Sequence, residues 1–358
     1  MQTKIVIIGA GLSGLLVGYQ LKLAKIPFII IEARDRVGGR IHTVYNDNSA
    51  PLEMGATWFG YQHTNLLDLL KKLEVSYFEQ YMIGTSFFQP FSTSPASAIP
   101  IQSQPPSYRI EGGTSSIINK LIEQIGEDNI LLNSTVKHLE FTKKNVTVSY
   151  NEKKYIADKI VLALPPKLWI NNIKIEPTPP QDLFEIAINT HTWMENSIKV
   201  ALSYEKAFWR KNKQSGTLFS NSGPITELYD HSNSTGNKYA LCGFLNPSYA
   251  SIDPEERKRL VLEQIVNVFG NEATKYDNYV ELNWGKEDKT ASNNRKPLFA
   301  HQNNGSLIFK KEYYNSRLLI SSSESSSSYP GYMEGAVDSA NFVYEKIKMA
   351  NDKKHDND

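Results

Sequence analysis

Three closely spaced glycines and a carboxylate near the beginning of the chain are the residues that could do chemistry. Gly9, Gly11 and Gly14 directly follow an apolar run that is typical of a buried parallel strand. At this spacing a tight turn brings backbone N–H groups against a pyrophosphate at the N-terminus of the following helix. Glu32 ends a second apolar run about 20 residues further on, where a carboxylate can hold the ribose hydroxyls of an adenosine. The combination predicts a strand–turn–helix–strand unit that binds a dinucleotide.

The overall composition is that of an ordinary globular protein with one large or two moderate domains. Of its 358 residues, 40% are hydrophobic and 22% are charged, and the formal net charge of +1 gives no reason to expect nucleic acid as a partner. Cys242 is the only cysteine, and the seven histidines are scattered, so we expect no disulfide and no metal site. Because no apolar run reaches the roughly 18 residues that span a bilayer, and no signal-peptide pattern is present, we expect a soluble, cytoplasmic protein without a membrane partner.

Hydrophobic periodicity and turn residues predict a mixed chain of helices and strands around the glycines. The Ser- and Pro-rich residues 82–107 are interpreted as an irregular excursion, and residues 283–304 as a polar loop. The serine run over 321–328 lies between a strand and a helix, so we interpret it as part of the fold rather than as a linker. The expected helices cover 12–23, 66–73, 114–125 with Thr114 as N-cap, 255–269 and 335–348. The expected strands cover 4–8, 28–31, 136–141, 145–150, 160–164, 197–204, 216–219, 239–245 and 318–320.

Further strings of residues go beyond a generic nucleotide-binding unit. Residues 34–40 read Arg-Asp-Arg-Val-Gly-Gly-Arg, 53–58 read Glu-Met-Gly-Ala-Thr-Trp, and 329–336 read Tyr-Pro-Gly-Tyr-Met-Glu-Gly-Ala. Together these strings resemble the flavin-containing amine oxidases, the group that includes monoamine, polyamine and L-amino-acid oxidases. The Ala-Phe-Trp-Arg of 207–210 and the Asn-Trp of 283–284 resemble landmarks of the substrate domain in that family. The resemblance extends from residue 1 to about residue 348.

The resemblance implies an α/β fold with two domains. A Rossmann-like FAD-binding domain of the glutathione-reductase type would be combined with a second, discontinuous α+β substrate domain. The excursion near residues 76–107 is shorter than the helical insert that roofs the substrate cavity in the family, so we expect a more exposed flavin. The expected boundaries are 1–75, 108–166 and 285–358 for the FAD-binding domain, and 76–107 and 167–284 for the substrate domain.

The resemblance also implies a catalytic set of Lys199, Trp284 and Tyr332. Lys199 matches a lysine that holds a water against the flavin N5 atom. Because side chains alternate along a strand, Lys199 lies on the face opposite Ile198 and Val200. From the residues alone, a lysine that faces solvent would be the ordinary interpretation.

By the same resemblance, each group of cofactor-binding residues is expected to bind a different part of the dinucleotide. The glycines and Ser13 would cradle the pyrophosphate, Glu32 would hold the adenosine ribose, and Arg40 would neutralise phosphate charge or contact the flavin end. Residues 55–58 would pass along the isoalloxazine ring, where small residues permit a close approach of the backbone. The complete expected set is Gly9, Gly11, Leu12, Ser13, Gly14, Glu32, Ala33, Arg34, Gly39, Arg40, Gly55, Ala56, Thr57, Trp58, Val136, Glu324, Tyr332, Met333 and Ala336.

The chain departs from the family pattern at the flavin end. Asn293 stands near the position of the cysteine that attaches flavin covalently in monoamine oxidases, so we expect non-covalent FAD. Asn294 replaces the tyrosine that would face Tyr332 in an aromatic cage, which leaves a one-sided cage unless another aromatic, such as Trp284, lies over the ring. Two serines at 322–323 replace a Gly-Thr pair. Because serine has a Cβ, a conformation that requires glycine would be strained, so either the turn has shifted or this site tolerates a negative φ.

The implied activity is that of an FAD-dependent amine oxidase with a small-molecule amine as substrate. Hydride would pass from the C–H next to the amine to flavin N5, and O2 would reoxidise the flavin, giving an imine and H2O2. Two alternatives remain open. An open site with an incomplete cage also suits a bulky or non-amine donor. The serine pair at 322–323 and Asn294 also fit a degenerate FAD-binding scaffold protein.

Overall fold

Two large β-sheets, each with its own core, organise the chain. The computed structural model describes residues 2–46, 49–100, 105–292 and 298–355. The sheets have eight and seven strands, and smaller two- and three-stranded sheets lie beside them. The expected mixture of helices and strands is confirmed. The domain boundaries stay a prediction. Within the described ranges, no helix has the length and apolar character required to cross a membrane.

Helices and strands alternate over the described residues. The α-helices are α1 (Leu12–Leu23), α2 (Thr64–Lys72), α3 (Ser115–Ile125), α4 (Pro166–Asn172), α5 (Gln181–Ile188), α6 (Phe208–Lys211), α7 (Pro254–Phe269) and α8 (Met333–His355). The strands are β1 (Gln2–Ile8), β2 (Phe28–Ile31), β3 (Thr43–Val44), β4 (Leu52–Glu53), β5 (Phe59–Gly60), β6 (Tyr77–Glu79), β7 (Thr85–Gln89), β8 (Ser97–Ile99), β9 (Ser107–Ile110), β10 (Ile130–Leu131), β11 (Val136–Phe141), β12 (Val146–Tyr150), β13 (Lys153–Leu162), β14 (Lys174–Glu176), β15 (Ile198–Tyr204), β16 (Gln214–Ser220), β17 (Ile225–Asp230), β18 (Tyr239–Leu245), β19 (Tyr276–Asn283) and β20 (Leu318–Ile320).

The parallel strands of the eight-stranded sheet bring their carboxyl ends together at one edge. Its order is β10-β2-β1-β13-β12-β11-β14, and β20 also pairs with β13. Parallel pairing aligns Ile8 with Ile31 and with Leu162, so the residues that follow these strands emerge side by side. Helices α3 and α8 both pack against α1. In open α/β sheets a ligand binds in the crevice outside the carboxyl ends of the strands, and this edge carries the predicted glycines.

The seven-stranded sheet has the order β19-β15-β18-β17-β16-β7-β8. Every residue of β15, the second strand in this order, is buried. Ile198 and Val200 pack into a core with α7, whereas Ala201 packs with Leu52 and Met54 on the opposite face. The predicted alternation is therefore confirmed, and the face that carries Lys199 is turned toward the short strand β4.

Some elements differ from the sequence-based expectations because their partners are distant in the chain. The interpretation of 82–107 as wholly irregular is wrong, since β7 and β8 join the edge of the seven-stranded sheet beside β16. The Thr114 side chain does not cap α3. Instead the Thr114 N–H donates to Glu53 Oε1 at 2.6 Å, and the Ser115 N–H donates to Thr43 Oγ1 at 3.0 Å. A buried carboxylate 61 residues away thus replaces the local cap.

Candidate active site

A cavity of about 310 Å³ opens at the carboxyl edge of the eight-stranded sheet. We call it the nucleotide groove. Most of the predicted cofactor-binding residues meet here, although they come from separate parts of the chain. The predicted residues that line the groove are Gly9, Gly11, Leu12, Ser13, Glu32, Ala33, Arg34, Gly39, Arg40, Ala56, Val136, Tyr332, Met333 and Ala336.

In the glycine turn between β1 and α1, backbone atoms pack so closely that no space is left for side chains at Gly9 and Gly14. Gly9 has φ +105°, and a Cβ there would lie 2.7 Å from the Ala163 carbonyl oxygen. A Cβ on Gly14 would lie 2.1 Å from the Gly9 carbonyl oxygen, so this position requires glycine although it lies inside a helix. Gly11 is the N-cap of α1 and has no side chain to cap it, and no acidic residue lies in the first helical turn. The positive end of the helix dipole is therefore suited to an anion such as a pyrophosphate.

The Glu32 carboxylate, directly after β2, is fixed in place by hydrogen bonds from the backbone. Its Oε2 accepts from the Ala10 N–H at 2.8 Å, and its Oε1 accepts from the Arg34 N–H at 2.9 Å. The side chain is almost fully buried against protein, yet it lines the nucleotide groove. Two backbone donors fix the carboxylate and leave it lone pairs with which to accept from hydroxyl groups. This arrangement fits the adenosine ribose of a dinucleotide.

Arg40 and Glu324 form an ion pair at the other end of the groove. Arg40 Nη1 lies 2.6 Å from Glu324 Oε1, and Arg40 Nη2 donates to Oε2 at 3.0 Å. Burial alone would raise the pKa of Glu324, but the Arg40 guanidinium holds that pKa below its usual value. Arg40 also donates to the Trp193 carbonyl and to Ser323 Oγ. Glu324 lies beneath Arg40 and does not itself line the groove.

The serine run is a buried part of the fold. Ser322 has φ −122° and ψ 159°, which is an extended conformation that serine adopts without strain. Of the two alternatives for this turn, the tolerated negative φ is therefore the one observed. Ser13 Oγ lies 2.6 Å from Ser321 Oγ, so this segment is tied to the first turn of α1. The interpretation that 321–328 is not a flexible linker is confirmed.

Lys199 is a buried amine beside the segment predicted to follow the flavin ring. Its side chain is 1% exposed, and its Nζ donates to the Gly55 carbonyl at 2.9 Å and to Thr57 Oγ1. The Nζ atom lies 4.6 Å from the centre of the Trp58 ring and 5.0 Å from that of Phe244. Burial lowers the pKa of Lys199, because the charged ammonium loses its water. Lys199 does not face solvent.

Trp284 reaches the same segment from β19. Its indole Nε1–H donates to the Met54 carbonyl at 2.7 Å, one residue before Gly55. The rings beside Tyr332 among the described residues are those of His63, Trp193 and His301, so Trp284 does not complete an aromatic cage. The structure thus brings Lys199 and Trp284 together on residues 54–57, and their catalytic roles stay predictions.

Tyr332 has aromatic neighbours that sequence reasoning missed. The Trp193 ring lies 5.4 Å from the Tyr332 ring, and His301 stacks on Trp193 at 4.1 Å between centroids. His63 lies 6.2 Å from the Tyr332 ring on another side. Trp193 and His301 are in irregular segments without periodicity, so no local signal identifies them. The departures at residues 293 and 294 lie outside the described residues.

One row of side chains crosses the seven-stranded sheet from Lys199. In the strand register Lys199 is opposite Phe244, Phe244 is opposite Glu227, and Glu227 is opposite Phe219. Neighbouring strands are about 4.8 Å apart, so Glu227 lies two strands, or about 10 Å, from Lys199 along the sheet.

Glu227 is a carboxylate among aromatic rings. It accepts from the Tyr229 hydroxyl at 2.9 Å, and the Tyr229 ring lies 5.1 Å from the Trp58 ring. The ion pairs of the described ranges do not include Glu227. Sequence reasoning missed this residue because β17 was not predicted.

Comparisons with known proteins agree with this arrangement. A family described as flavin containing amine oxidoreductase matches residues 12–91 and 78–343. A relative named probable flavin-containing monoamine oxidase A, from Dictyostelium discoideum, is 24% identical over 450 aligned positions, which cover 96% of this chain and 97% of the relative. The putrescine oxidase of Kocuria rosea is also 24% identical, over 81% of this chain and 84% of its own length. The first alignment is longer than this chain of 358 residues, so that relative contains segments that are absent here.

Solved structures show the same fold. A putrescine oxidase bound to putrescine superposes with a TM-score of 0.85 at 22% identity, covering 98% of this chain and 99% of the other. Cyclohexylamine oxidase from Brevibacterium oxydans IH-35A superposes with a TM-score of 0.84 at 19% identity, covering 97% and 99%. The expected fold, the flavin cofactor and an amine oxidase-like oxidoreductase activity are confirmed. This chain belongs to the flavin containing amine oxidoreductase family.

Proposed function

We propose that this amine oxidase-like enzyme acts on diamines, whose second, charged amino group is held by Glu227. The observation that supports the proposal is the row across the seven-stranded sheet, in which Phe244 separates the Lys199 amine from the Glu227 carboxylate. A half-buried carboxylate without a protein cation, set among aromatic rings, is suited to an ammonium group. The two relatives named putrescine oxidase fit this substrate class.

The residues of the nucleotide groove fit a non-covalently bound FAD. Glu32 would hold the ribose, the glycine turn and the start of α1 would hold the pyrophosphate, and Arg40 and Tyr332 would meet the flavin end. Cys242, the only cysteine, is buried in β18 with its Sγ 3.4 Å from the Glu53 carbonyl oxygen, so it has no access to the groove. When bound, the flavin supplies a hydride acceptor that oxidises the substrate C–H and passes the electrons to O2, giving imine and H2O2.

The residues around Lys199 would prepare the amine and exclude water. Trp58 and Phe244 form an apolar wall, and Trp58 is fixed by its Nε1–H, which donates to Gln80 Oε1 at 2.9 Å. Lys199 would position a water and O2 beside the flavin, because its amine is anchored on the Gly55 carbonyl and on Thr57. Because burial lowers its pKa, Lys199 gives up a proton more readily than an exposed lysine does.

Turnover with matched amines tests this function. The FAD-loaded protein is supplied with putrescine, butylamine or NADH under air, and H2O2 release is measured. We expect H2O2 with both amines and a much lower KM for putrescine, because only putrescine has a second ammonium group for Glu227. Turnover with NADH but with neither amine would refute the amine assignment, and equal KM values for the two amines would refute the diamine assignment. A cytoplasmic location stays a prediction from the sequence.

A further inference from the structure

A second cavity, of about 420 Å³, lies apart from the nucleotide groove and is lined by Arg109. We call it the Arg109 cavity. Its lining is mixed: Phe78, Met82 and Ile83 are apolar, whereas Gln80, Arg210 and Ser232 are polar. The Arg109 guanidinium lies 4.7 Å from the centre of the Phe78 ring. No step of the proposed function uses this cavity.

Arg109 is a buried cation without a carboxylate partner. Its side chain is 5% exposed, and burial lowers its pKa to about 10, so the guanidinium remains charged at neutral pH. It donates through Nη2 to the Ser232 carbonyl, but its Nε–H has no hydrogen-bond partner among the described residues. Among the residues that the structure describes, no carboxylate forms an ion pair with Arg109. A buried charge is ordinarily paired, so this one lacks a counter-ion.

The two carboxylates whose charges act on the Arg109 guanidinium, Asp230 and Glu53, are hydrogen-bonded to other groups. The Asp230 carboxylate accepts from Trp209 Nε1 at 2.7 Å and from the Arg210 guanidinium at 2.7 and 2.9 Å. The Glu53 carboxylate accepts from Thr43 and from the Thr114 N–H. Neither has an oxygen within ion-pair distance of Arg109, so neither forms an ion pair with this guanidinium.

A second polar group at the same place also lacks a partner. The Ser232 hydroxyl is 1% exposed and makes no hydrogen bond within the described ranges. Ser232 and Arg109 also border a small inner cavity of about 20 Å³ that Glu53 and Thr57 line as well. A buried donor that makes no hydrogen bond in the free protein indicates a missing acceptor. Two such donors, one of them charged, indicate an anion.

We propose that the Arg109 cavity binds the carboxylate of a small organic acid. A carboxylate that enters shifts the Arg109 and Ser232 side chains, whose unpartnered donor atoms are closed to solvent in the free protein, and then accepts from the Arg109 Nε–H and the Ser232 hydroxyl. The apolar part of the acid packs against Phe78, Met82 and Ile83. Arg210 also lines the cavity, but its guanidinium is bound to Asp230 and lies 3.9 Å from the Tyr81 ring. The exposed carboxylate of Glu79 lines the rim and repels a second negative charge, which favours a monocarboxylate.

Binding of benzoate to the FAD-loaded protein tests the proposal. Benzoate has one carboxylate on an apolar body, benzamide is its neutral counterpart, and chloride is a simple anion. We expect benzoate to raise the melting temperature and to release heat in calorimetry, whereas benzamide and chloride do neither at the same concentration. The flavin absorption spectrum is expected to stay unchanged, because the site lies away from the nucleotide groove. Binding that perturbs this spectrum, or equal binding of chloride, would overturn the assignment.

Variants separate a binding role from a structural one. Arg109→Lys keeps the charge but loses the Nε–H, and Ser232→Ala loses the hydroxyl, so each is expected to weaken benzoate binding at least tenfold. Arg109→Met removes the unpaired charge, and we expect it to abolish binding without lowering the melting temperature in benzoate-free buffer.

Arg259→Gln, at an exposed arginine on α7, is the control and should bind as the native protein does. Undiminished binding by Arg109→Met, or a much lower melting temperature of that variant, would contradict the proposal. Neither result depends on amine oxidation, so the two proposals fail separately.

Discussion

Removal of the charge on Glu227 is expected to abolish the preference for diamines. The Glu227→Gln substitution keeps the size of the side chain, and its amide can still accept from the Tyr229 hydroxyl, which lies 2.9 Å from the native carboxylate. The distal ammonium of a diamine would lose the carboxylate that we propose as its partner. The chemistry at the other amino group, about 10 Å away along the row toward Lys199, is unchanged.

The size of this effect follows from the type of bond that is lost. A hydrogen bond to a charged group contributes about 1.5–3 kcal/mol. Since 1.4 kcal/mol is a factor of ten in affinity, the dissociation constant for putrescine is expected to rise by about 10- to 150-fold. Butylamine has no distal charge, and its dissociation constant is expected to change by less than about threefold.

Anaerobic stopped-flow reduction of the flavin is the assay, because the concentration dependence of the rate reports substrate binding separately from reoxidation. Glu227→Asp serves as the charge-preserving variant. Glu263→Gln, on the exposed side of α7, serves as the control. Equal losses for putrescine and butylamine would show that Glu227 supports the fold of the site rather than the distal ammonium, and would refute the reasoning.

Three further predictions concern Lys199, Glu53 and Gly14. Lys199→Met is expected to slow reoxidation of the reduced flavin by O2 at least tenfold and to change reduction by the amine only slightly, as measured by stopped flow; an unchanged reaction with O2 would exclude the role of this amine. Burial raises the pKa of Glu53 to about 7, above its unfolded value, so its stabilising effect is complete below about pH 4.5 and is lost as the pH rises through 7. The Glu53→Gln variant should therefore gain about 2–3 kcal/mol relative to the native protein between pH 5 and pH 9 in urea titrations, and parallel pH profiles would contradict this. Gly14→Ala places a Cβ 2.1 Å from the Gly9 carbonyl oxygen, so we expect a lower melting temperature and little bound FAD; native flavin content would be the contrary result.

The elements around the glycine turn could be predicted from the sequence because their signals are local. The structure places α1 and β2 at the predicted bounds of 12–23 and 28–31. Runs of consecutive apolar residues that end at glycines or at an acid are typical of a buried parallel strand followed by its crossover helix, and few other structures fit them. Alternation likewise predicts that Lys199 lies on the face of β15 opposite Ile198 and Val200, but only the family resemblance indicated that this face is buried.

What could not be predicted depends on partners that are distant in the chain. The cap of α3 comes from Glu53, and nothing near Thr114 indicates it. The strands β7 and β8 are short, lie among Ser and Pro residues, and form only because β16 offers an edge. Trp193 beside Tyr332, and Glu227 in the row with Lys199, become part of the site only when separate loops and strands pack together.

The most direct test of the central claim is an anaerobic titration of the FAD-loaded protein with putrescine. We expect one equivalent of putrescine to bleach the flavin absorption fully, and admission of O2 to restore it with release of one equivalent of H2O2. A protein that takes up FAD but keeps its oxidised spectrum with excess putrescine, or one that does not take up FAD, would contradict the account.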